Sequence, residues 1–460
     1  MTPKQRYILL VTMVAGFMAP FMSTALNLAI TDISTDLACG ATSATWVINA
    51  YTLSTAMFSL PFGHLADMHG RRRYIIIGTA TFAASSLLSA AAPNVYVLIF
   101  ARVIMSIGTS AFLAGTIPLM LTYFKPEQKG RMLGIAVVAT YMGLSLGPFL
   151  GGIITVFLSW RAIFLIGTAC AVASLIVTCT KIEPDNIDTQ TQFDMVGALL
   201  YMAGVALFMY GLSEWSSHAF APILCGIGAV VLVAFVVYEA RQENPVVQVR
   251  LFKSNPAYGL SNFACLLSFG ACFAITYTMA IFLQNVAHLS ALVSGVVLVV
   301  TPVMQALLSP YSGHLADRIA PQRIAVFGMA IIVASLVVFS FIGMYSPLWA
   351  VIIGLLLIGI GNTFFSTPNN TAILSCVDRA HYSEANSTIS TMRGLGQSLS
   401  IAMVSMVFSM TIGNTVIAQV QTDLLASSIH TIVLICLAIA VVALLVSIIS
   451  EKNKGKSQDL

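Results

Sequence analysis

The pentapeptide GHLAD occurs twice in this sequence, in PFGHLADMHGRRRY at residues 61–74 and in YSGHLADRIAPQRI at residues 311–324. Each copy follows a long apolar stretch and places an aspartate, Asp67 or Asp317, just ahead of basic residues. Only 8% of the residues are charged, so chance rarely repeats a charged segment of this kind. The repeat predicts that the chain contains two structurally related halves.

Most of the chain is too apolar to face water. Of its 460 residues, 58% are hydrophobic, and apolar stretches of about 20 residues, long enough to cross the bilayer core as helix, recur throughout. We therefore expect an all-α polytopic membrane protein with fourteen transmembrane helices. The first stretch is too long for a signal peptide and lacks a cleavage site, so we expect it to be retained as helix 1. The predicted spans are 8–30, 46–63, 74–91, 95–121, 132–156, 162–180, 194–213, 220–238, 258–282, 291–311, 324–342, 347–375, 389–412 and 430–450.

The basic residues predict the orientation, because Lys and Arg accumulate in short cytoplasmic loops. With the N-terminus inside, all 21 Lys and Arg residues fall on the cytoplasmic side except Arg102 and Arg161. We expect a multi-pass protein of the plasma membrane with both termini in the cytoplasm. This bias also accounts for the net charge of +4 without a nucleic-acid partner.

A second pair of similar stretches lies at nearly the same distance after each copy of GHLAD. GHLAD closes predicted helices 2 and 10, while IGTSAF at Ile107 and IGNTFF at Ile360 lie in predicted helices 4 and 12. We therefore expect two pseudo-symmetric six-helix bundles with two helices inserted between them. The predicted domains are 1–180 for the first bundle, 181–257 for the inserted helices and linkers, and 258–460 for the second bundle and tail.

The sequence lacks the motifs of enzymes and cofactor sites. Its eight cysteines and seven histidines are scattered, without the CxxC or HExxH spacing of redox and metal sites. The GxSxG pattern occurs only as GLSLG at residues 143–147, inside a predicted membrane span and without the strand-to-helix turn of a nucleophile motif. No phosphate-binding GxxxxGK[ST] motif occurs. We expect neither enzyme activity nor a bound metal or cofactor.

Several motifs resemble those of the major facilitator superfamily, and within it the fourteen-helix drug:proton antiporters of the QacA/EmrB type. GHLADMHGRR at residues 63–72 matches the family's loop signature GxLADxxGRR, and GLSLGPFLGG at residues 143–152 matches its antiporter signature GxxxGPxxGG. TWVINAY at Thr45, SWRAIF at Ser159 and FLQNV at Phe282 are also similar to the family. The resemblance implies a monomeric secondary transporter in the lipid bilayer that exports drug-like or amphipathic small molecules by alternating access, as in multidrug efflux, with protons as the coupling ion.

Asp67 and its repeat are candidates for gating. The Asp67 carboxylate can meet Arg71 and the positive end of helix 13 near Asn386 at the cytoplasmic surface. By pseudo-symmetry Asp317, which precedes the basic Arg318, should meet the start of helix 5 near Gly130 and Arg131, so that both copies latch the cytoplasmic side closed. The alternative is a charged turn that only sets the topology.

In helix 5, small residues permit close packing and a proline bends the helix; these are Gly143, Gly147, Pro148, Gly151 and Gly152.

Arg102 is predicted to be the only charge well inside an apolar stretch, about 10 Å below the outer end of helix 4. It is either a functional cation facing the bundle interior or a structural arginine held by carbonyl groups of helix 1. The antiporters resembled here have an aspartate five residues before the asparagine aligned with Asn27, and this chain has Met22 there. Proton coupling then falls to a peripheral carboxylate, Asp32 or Glu214, or the protein is not proton-coupled.

The candidate cavity lining combines polar, aromatic and adaptable residues in helices that line the cleft in this superfamily. Such groups on an apolar background suit bulky amphipathic ligands. The set is Met22, Asn27, Asn49, Tyr51, Tyr141, Tyr277, Gln305, Asn362 and Asn369. Three functions stay open: a multidrug exporter, a proton-independent facilitator or metabolite exporter, and a polytopic receptor or scaffold that does not transport.

Overall fold

The computed structural model describes the chain except for residues 125, 185–192, 216–217, 243–248, 317, 344–345, 378–381, 414, 416 and 459–460. The described residues fold into α-helices, which satisfy their backbone groups internally as an apolar surrounding requires. The helices are α1 (Pro3–Thr24), α2 (Leu26–Asp36), α3 (Ala41–His69), α4 (Arg71–Ala90), α5 (Val95–Thr122), α6 (Pro126–Phe157), α7 (Trp160–Lys181), α8 (Met195–Ser213), α9 (Ala221–Glu239), α10 (Val249–Ser254), α11 (Pro256–Ile281), α12 (Ala291–Leu298), α13 (Val300–Ala316), α14 (Pro321–Ser340), α15 (Leu348–Leu374), α16 (Tyr382–Thr411) and α17 (Thr422–Gln458). A π-helical turn, Phe282–Val286, continues α11.

Each predicted span coincides with one helix or with two consecutive helices. In the described part, eleven helical segments are long and apolar enough to cross a membrane, and twelve if α6, bent by 41° between Leu144 and Leu146, is one span. The bend follows from Pro148, which cannot donate a hydrogen bond to the Leu144 carbonyl. Helices α3 and α4 are not among the twelve, because α3 is rich in polar side chains and α4 begins with three arginines.

The two halves of the chain, α1–α7 and α11–α17, cross their helices in the same way. In the first half, a Cβ atom built at Gly78 of α4 would lie 2.6 Å from the carbonyl oxygen of Gly108 in α5. In the second half, a Cβ atom at Gly328 of α14 would lie 2.7 Å from the carbonyl oxygen of Gly361 in α15. The two α5 and α15 glycines are the second residues of IGTSAF and IGNTFF. The repeated sequence therefore encodes a repeated close helix crossing.

Helix α6 crosses α1 and α2 where these two helices are separated by Ala25. A Cβ atom at Gly151 would overlap the backbone of Ala25, and one at Gly143 would overlap that of Phe17. The glycines of the antiporter-like motif thus let two helix backbones touch, as the sequence predicts.

The inserted helices α8 and α9 pack beside the seam between α3 and α16. The Tyr201 hydroxyl of α8 donates a hydrogen bond of 3.1 Å to the carbonyl oxygen of Ala56 in α3. Gly394 of α16 lies against the same alanine, since a Cβ atom built there would be 3.3 Å from the alanine Cβ. Leu53 of α3 and Ala402 of α16 share an apolar cluster with α8. Helix α8 therefore contacts both halves of the chain.

The two halves are tied together at one end of the molecule, which is called the outer end because the predicted orientation places it outside. The first half contributes α2 and α3, and the second half contributes α11, its π-helical turn and the loop after α16. The hydrogen bonds are Thr45 Oγ1 with the Tyr277 hydroxyl at 3.0 Å, Gln284 Nε2 to the Leu28 carbonyl at 3.2 Å, Asn285 Nδ2 to Thr31 Oγ1 at 3.2 Å, the Ala41 amide to the Thr415 carbonyl at 2.9 Å, and Thr42 Oγ1 to the Gly413 carbonyl at 3.2 Å. The outer side is closed in this conformation.

Candidate transport site

Arg102 lies fully buried in the first half, seven residues into α5. Its Nε donates to the Val47 carbonyl oxygen of α3 at 3.1 Å, and one terminal nitrogen donates to the Met22 carbonyl oxygen of α1 at 3.2 Å. The guanidinium carbon is 4.1 Å from the centre of the Tyr51 ring, a cation–π contact. None of its partners in the described part is a carboxylate. One carbonyl acceptor belongs to α1 and the other to α3, so the described surroundings hold Arg102 through carbonyl groups and supply no counter-ion. Whether Arg102 is functional or structural stays a prediction.

Met22 packs inside the first half rather than between the halves. Its side chain is fully buried, and its terminal methyl group fills the space that a Cβ atom at Gly167 of α7 would need. The glycine therefore makes room for the thioether where the antiporters resembled here have a carboxylate. Contact of Met22 with a substrate stays a prediction for another conformation.

Asn27 and Tyr277 lie at the closed outer end. Asn27 is fully buried, and neither atom of its amide has a hydrogen-bond partner among the described residues. Tyr277 is also fully buried, and its hydroxyl meets Thr45 across the interface. Tyr277 thus contributes to closure, while the Asn27 amide is left with unused donors and acceptors.

Two candidate lining residues of α3 are engaged by neighbouring helices. The Tyr51 hydroxyl donates to the Ala19 carbonyl oxygen at 3.2 Å and lies 3.1 Å from Thr109 Oγ1. Asn49 Nδ2 donates to Ser213 Oγ of the inserted helix α8 at 2.9 Å. These hydrogen bonds orient both side chains toward other helices, and a role in binding substrate stays a prediction for them.

The second half holds three further candidates. Asn369 Nδ2 donates to the Ser261 carbonyl oxygen at 3.1 Å, which ties α15 to α11. Gln305 is buried in α13, and Asn362 is half-buried in α15. The side chain of Tyr141 lies outside the described part of the chain.

The two candidate proton carriers lie at outer helix ends. Glu214, which is 9% exposed, accepts a hydrogen bond of 2.5 Å from Trp46 Nε1, while Asp32 is exposed near the end of α2. The next carboxylate, Asp36, pairs with Arg161, and this hydrogen bond holds the pKa of Asp36 below its usual value. Proton carriage by Asp32 or Glu214 stays a prediction.

The predicted latch falls largely outside the described residues, which include neither the side chain of Asp67 nor any part of Asp317. Arg71 donates to the Pro118 carbonyl oxygen of α5 at 3.5 Å, and Arg318 is exposed. The described residues of both GHLAD copies lie at the C-terminal ends of their helices, α3 and α13. The latch itself stays a prediction.

Arg393 lies deeper than its sequence position indicates. The apolar pattern places it near the start of a predicted span, but α16 begins earlier, at Tyr382. Its neighbour Gly394 packs against Ala56, midway along the 29-residue helix α3. Arg393 is therefore a second cation inside the helical bundle, and the prediction that Arg102 is alone there is wrong. Polar residues in the first turns of α16 conceal the true start of the helix from a search for apolar stretches.

Comparison with known proteins identifies the family. The family model described as Major Facilitator Superfamily matches residues 12–401. The chain belongs to the major facilitator superfamily. It is a membrane transporter rather than an enzyme.

Curated members of the superfamily resemble the chain over most of its length. The riboflavin transporter RibZ of Clostridioides difficile is 27% identical over 88% of this chain and 89% of its own. The multidrug resistance protein Stp of Mycobacterium tuberculosis is 28% identical over 87% of this chain and 76% of its own. The methylenomycin A resistance protein of Bacillus subtilis is 25% identical over 86% of both chains.

Solved structures of the superfamily share the fold. A bacterial homolog of the human lysosomal transporter Spinster, in an inward-facing and unoccupied conformation, superposes with a TM-score of 0.70 at 13% identity, covering 98% of both chains. The POT family transporter PepTSo gives a TM-score of 0.69 at 16% identity, covering 100% of this chain and 99% of its own. At such identities the likeness concerns the fold alone.

Proposed function

We propose that this superfamily member is a secondary transporter that exports amphipathic small molecules by alternating access. The observation that carries the proposal is the hydrogen bond of 3.0 Å between Thr45 and Tyr277, which joins helices that must separate when the outer side opens. A small set of hydrogen bonds between two pseudo-symmetric bundles suits a protein with two conformations of similar free energy.

We propose that the chain crosses the plasma membrane fourteen times, with two inserted helices and both termini in the cytoplasm. Support comes from α3 and α4, the two helices that composition alone does not select. Their polar side chains, such as Asn49 in α3 and Ser86 in α4, are buried against other helices and do not face lipid. A polar membrane helix is tolerated when its polar side chains face the bundle interior. If α3 and α4 both cross the membrane, the loops rich in Lys and Arg all lie on the same side of it.

The charge of Arg102 favours neutral, zwitterionic or anionic substrates. A cation that leaves water needs a counter-charge, and a neighbouring unbalanced cation increases the free energy of that transfer. The described surroundings of Arg102 supply carbonyl groups and an aromatic ring. The field in the bundle is therefore positive, which disfavours the lipophilic cations that multidrug exporters commonly handle.

The names of two relatives, a multidrug resistance protein and a methylenomycin A resistance protein, support drug export. A second candidate function, a facilitator or metabolite exporter without proton coupling, is favoured by a different observation. Helix α1 contains no Asp or Glu, and Met22 occupies the position of the antiporter aspartate. The similarity to a riboflavin transporter agrees with this candidate.

Transport in proteoliposomes tests both candidates. Purified protein is reconstituted, and uptake of amphipathic fluorescent dyes is followed with and without an imposed pH gradient. Acceleration by the gradient supports the proton-coupled exporter, whereas uptake indifferent to the gradient supports the facilitator. No movement of any dye contradicts both and favours a receptor or scaffold.

A locked variant provides the control. The Ala41 amide and the Thr415 carbonyl are 2.9 Å apart at the outer end, which brings the two backbones within disulfide range. Ala41→Cys combined with Thr415→Cys, in a background without other cysteines, should stop transport when oxidised. Reductant should restore it.

A further inference from the structure

We propose that Arg393, with Ser390 and Gln397, holds the anionic group of the substrate in the cleft between the two bundles. The inference rests on the proposed export of amphipathic molecules, and it names their class as amphiphiles with a carboxylate, sulfonate or phosphate group. The three residues follow the spacing i, i+3 and i+7 along α16, so they share one helix face.

The neighbours of α16 show where this face points. Gly396 packs against α11, Gly394 packs against α3, and Leu395 lies in the apolar cluster formed with α8. Successive residues of a helix are rotated by about 100°. Arg393 therefore lies between the face that touches α11 and the face that touches α3, on the side away from α8. Because α11 and α3 belong to different bundles, that side faces the space between them.

Exposure along this face decreases toward the outer end. Ser390 is exposed, Arg393 and Gln397 are half-buried, and Val404, farther along the same face, is fully buried. This gradient describes a cleft that narrows toward the closed outer side. The Arg393 guanidinium stands in its accessible part, about midway along the helices that line it.

Among the described residues, no acceptor contacts the Nε atom of Arg393. This Nε atom is buried. The guanidinium carbon lies 5.2 Å from the centre of the Phe269 ring, a cation–π contact. A guanidinium presents five donors in a planar fork that matches two oxygens of a carboxylate, sulfonate or phosphate. The Phe269 ring beside it suits the apolar part of the same ligand, and the Gln397 amide adds a polar neighbour.

The two buried cations therefore have different surroundings. Arg102 is fully buried and donates to two carbonyl oxygens, so the fold itself satisfies it. Arg393 is half-buried, and its buried Nε has no acceptor in the part of the chain that the structure describes. An unsatisfied buried donor is unfavourable, so a hydrogen bond from Nε to an anionic oxygen of the substrate would stabilise the bound state. Arg393 therefore contacts the negative charge of the substrate directly. Arg102 acts on the substrate only through its electrostatic field.

Two dyes with one ring system test the contact. Fluorescein is anionic at pH 8, and its methyl ester with a methylated phenol is neutral. Binding of each to purified protein is measured by fluorescence anisotropy, and uptake of each is measured in proteoliposomes. Arg393→Gln should weaken fluorescein binding roughly tenfold or more, as loss of a charge-assisted bidentate contact implies, and leave the neutral dye within about twofold. Arg393→Lys keeps the charge but not the planar fork of donors, so its affinity for fluorescein should lie between those of the unmodified protein and Arg393→Gln.

Arg323→Gln is the matched control, because Arg323 lies in the same half with a side chain 71% exposed and paired with Glu451. It should leave both dyes unaffected. If Arg393→Gln and Arg393→Lys both weaken the binding of the two dyes equally, Arg393 has a structural role and the inference is overturned. Unchanged fluorescein binding in Arg393→Gln, with the neutral dye still transported, would overturn it and leave the proposed function standing. Failure of the unmodified protein to bind or move either dye would instead overturn the proposed function and the inference with it.

Discussion

The Tyr277 hydroxyl donates its hydrogen bond to Thr45 Oγ1, and the pair joins α11 of the second bundle to α3 of the first. The two oxygens are 3.0 Å apart, and both residues are fully buried. Thr45 Oγ1 also lies 2.9 Å from the Ala41 carbonyl oxygen, to which it donates its single hydrogen. The tyrosine must therefore be the donor across the interface. Opening of the outer side breaks this bond and exposes both groups to water.

Tyr277→Phe should shift the population toward the outward-open conformation. The substitution removes the donor and keeps the ring, so the closed state loses about 1 kcal/mol, the usual net value of one hydrogen bond. That corresponds to roughly a fivefold change in the ratio of the two conformations. The measurement is labelling of a single cysteine introduced by Thr31→Cys, in a background without other cysteines, by an impermeant maleimide added from outside.

Tyr51→Phe is the control for that experiment. The Tyr51 hydroxyl also makes hydrogen bonds of 3.2 and 3.1 Å, but both partners, Ala19 and Thr109, belong to the same bundle. Its removal should lower thermal stability without changing labelling. Equal labelling in all three proteins would contradict a gating role for Tyr277.

Asn27→Leu should shift the population toward the outer-closed conformation, the opposite of Tyr277→Phe. The Asn27 amide is fully buried without a partner among the described residues, which opposes the outer-closed conformation by about 1–3 kcal/mol. Leucine has a similar size and no polar atoms, so it removes that penalty. We expect slower labelling at the Thr31→Cys reporter and slower transport, because the closed state becomes too stable. Asn262→Leu, which alters an asparagine inside the second bundle that donates to the Tyr258 carbonyl, should leave the labelling rate unchanged.

The positions of the helices could be predicted from the sequence, because a bilayer requires about 20 apolar residues for each crossing. The interruption at Ala25 could not, since no proline or glycine stands there. It lies where the glycine face of α6 meets the α1–α2 segment. Tertiary contact therefore determines a local feature that the residue itself does not indicate.

The candidate site could be predicted less completely, because composition does not reveal which partner a polar side chain finds. Asn49 and Glu214 looked like cavity or proton-carrying groups, and the structure pairs them with Ser213 and Trp46. Those contacts join α3 to the inserted helix α8, and no spacing rule relates the two. Arg393 was placed near the surface because its helix begins with polar residues. The sequence therefore does not reveal this half-buried cation of the second bundle.

Asp67→Asn tests the predicted cytoplasmic latch. Removing the charge should weaken the closed cytoplasmic side by about 1 kcal/mol or more, the scale of a carboxylate at a partly buried helix end. Labelling of a cysteine introduced by Ser390→Cys, on the exposed part of the cleft face of α16, should become faster from the cytoplasmic side. Asp423→Asn, in the first turn of α17, removes an equal charge elsewhere and should have no effect. Unchanged labelling in the Asp67 variant would contradict the latch.

Met22→Asp should convert the charge preference of the protein. The backbone carbonyl of residue 22 already accepts a hydrogen bond from Arg102, so a carboxylate on the same residue is within reach of the guanidinium. The pair would neutralise the cation that the described surroundings leave unbalanced. We expect tighter binding of a quaternary ammonium dye and weaker binding of an anionic dye, both measured by fluorescence titration at several pH values.

The pH dependence separates charge from shape in this variant. The carboxylate supports cation binding only while it is ionised, so the gain should be present at high pH and disappear as the pH falls and the group takes up a proton. Met22→Asn has nearly the same shape and no charge, and it should show neither the gain nor the pH dependence. Both variants lose the thioether that fills the space beside Gly167, so a packing defect should weaken them equally. If the unmodified protein already binds the quaternary dye as tightly as Met22→Asp does, the field of Arg102 does not select substrates by charge.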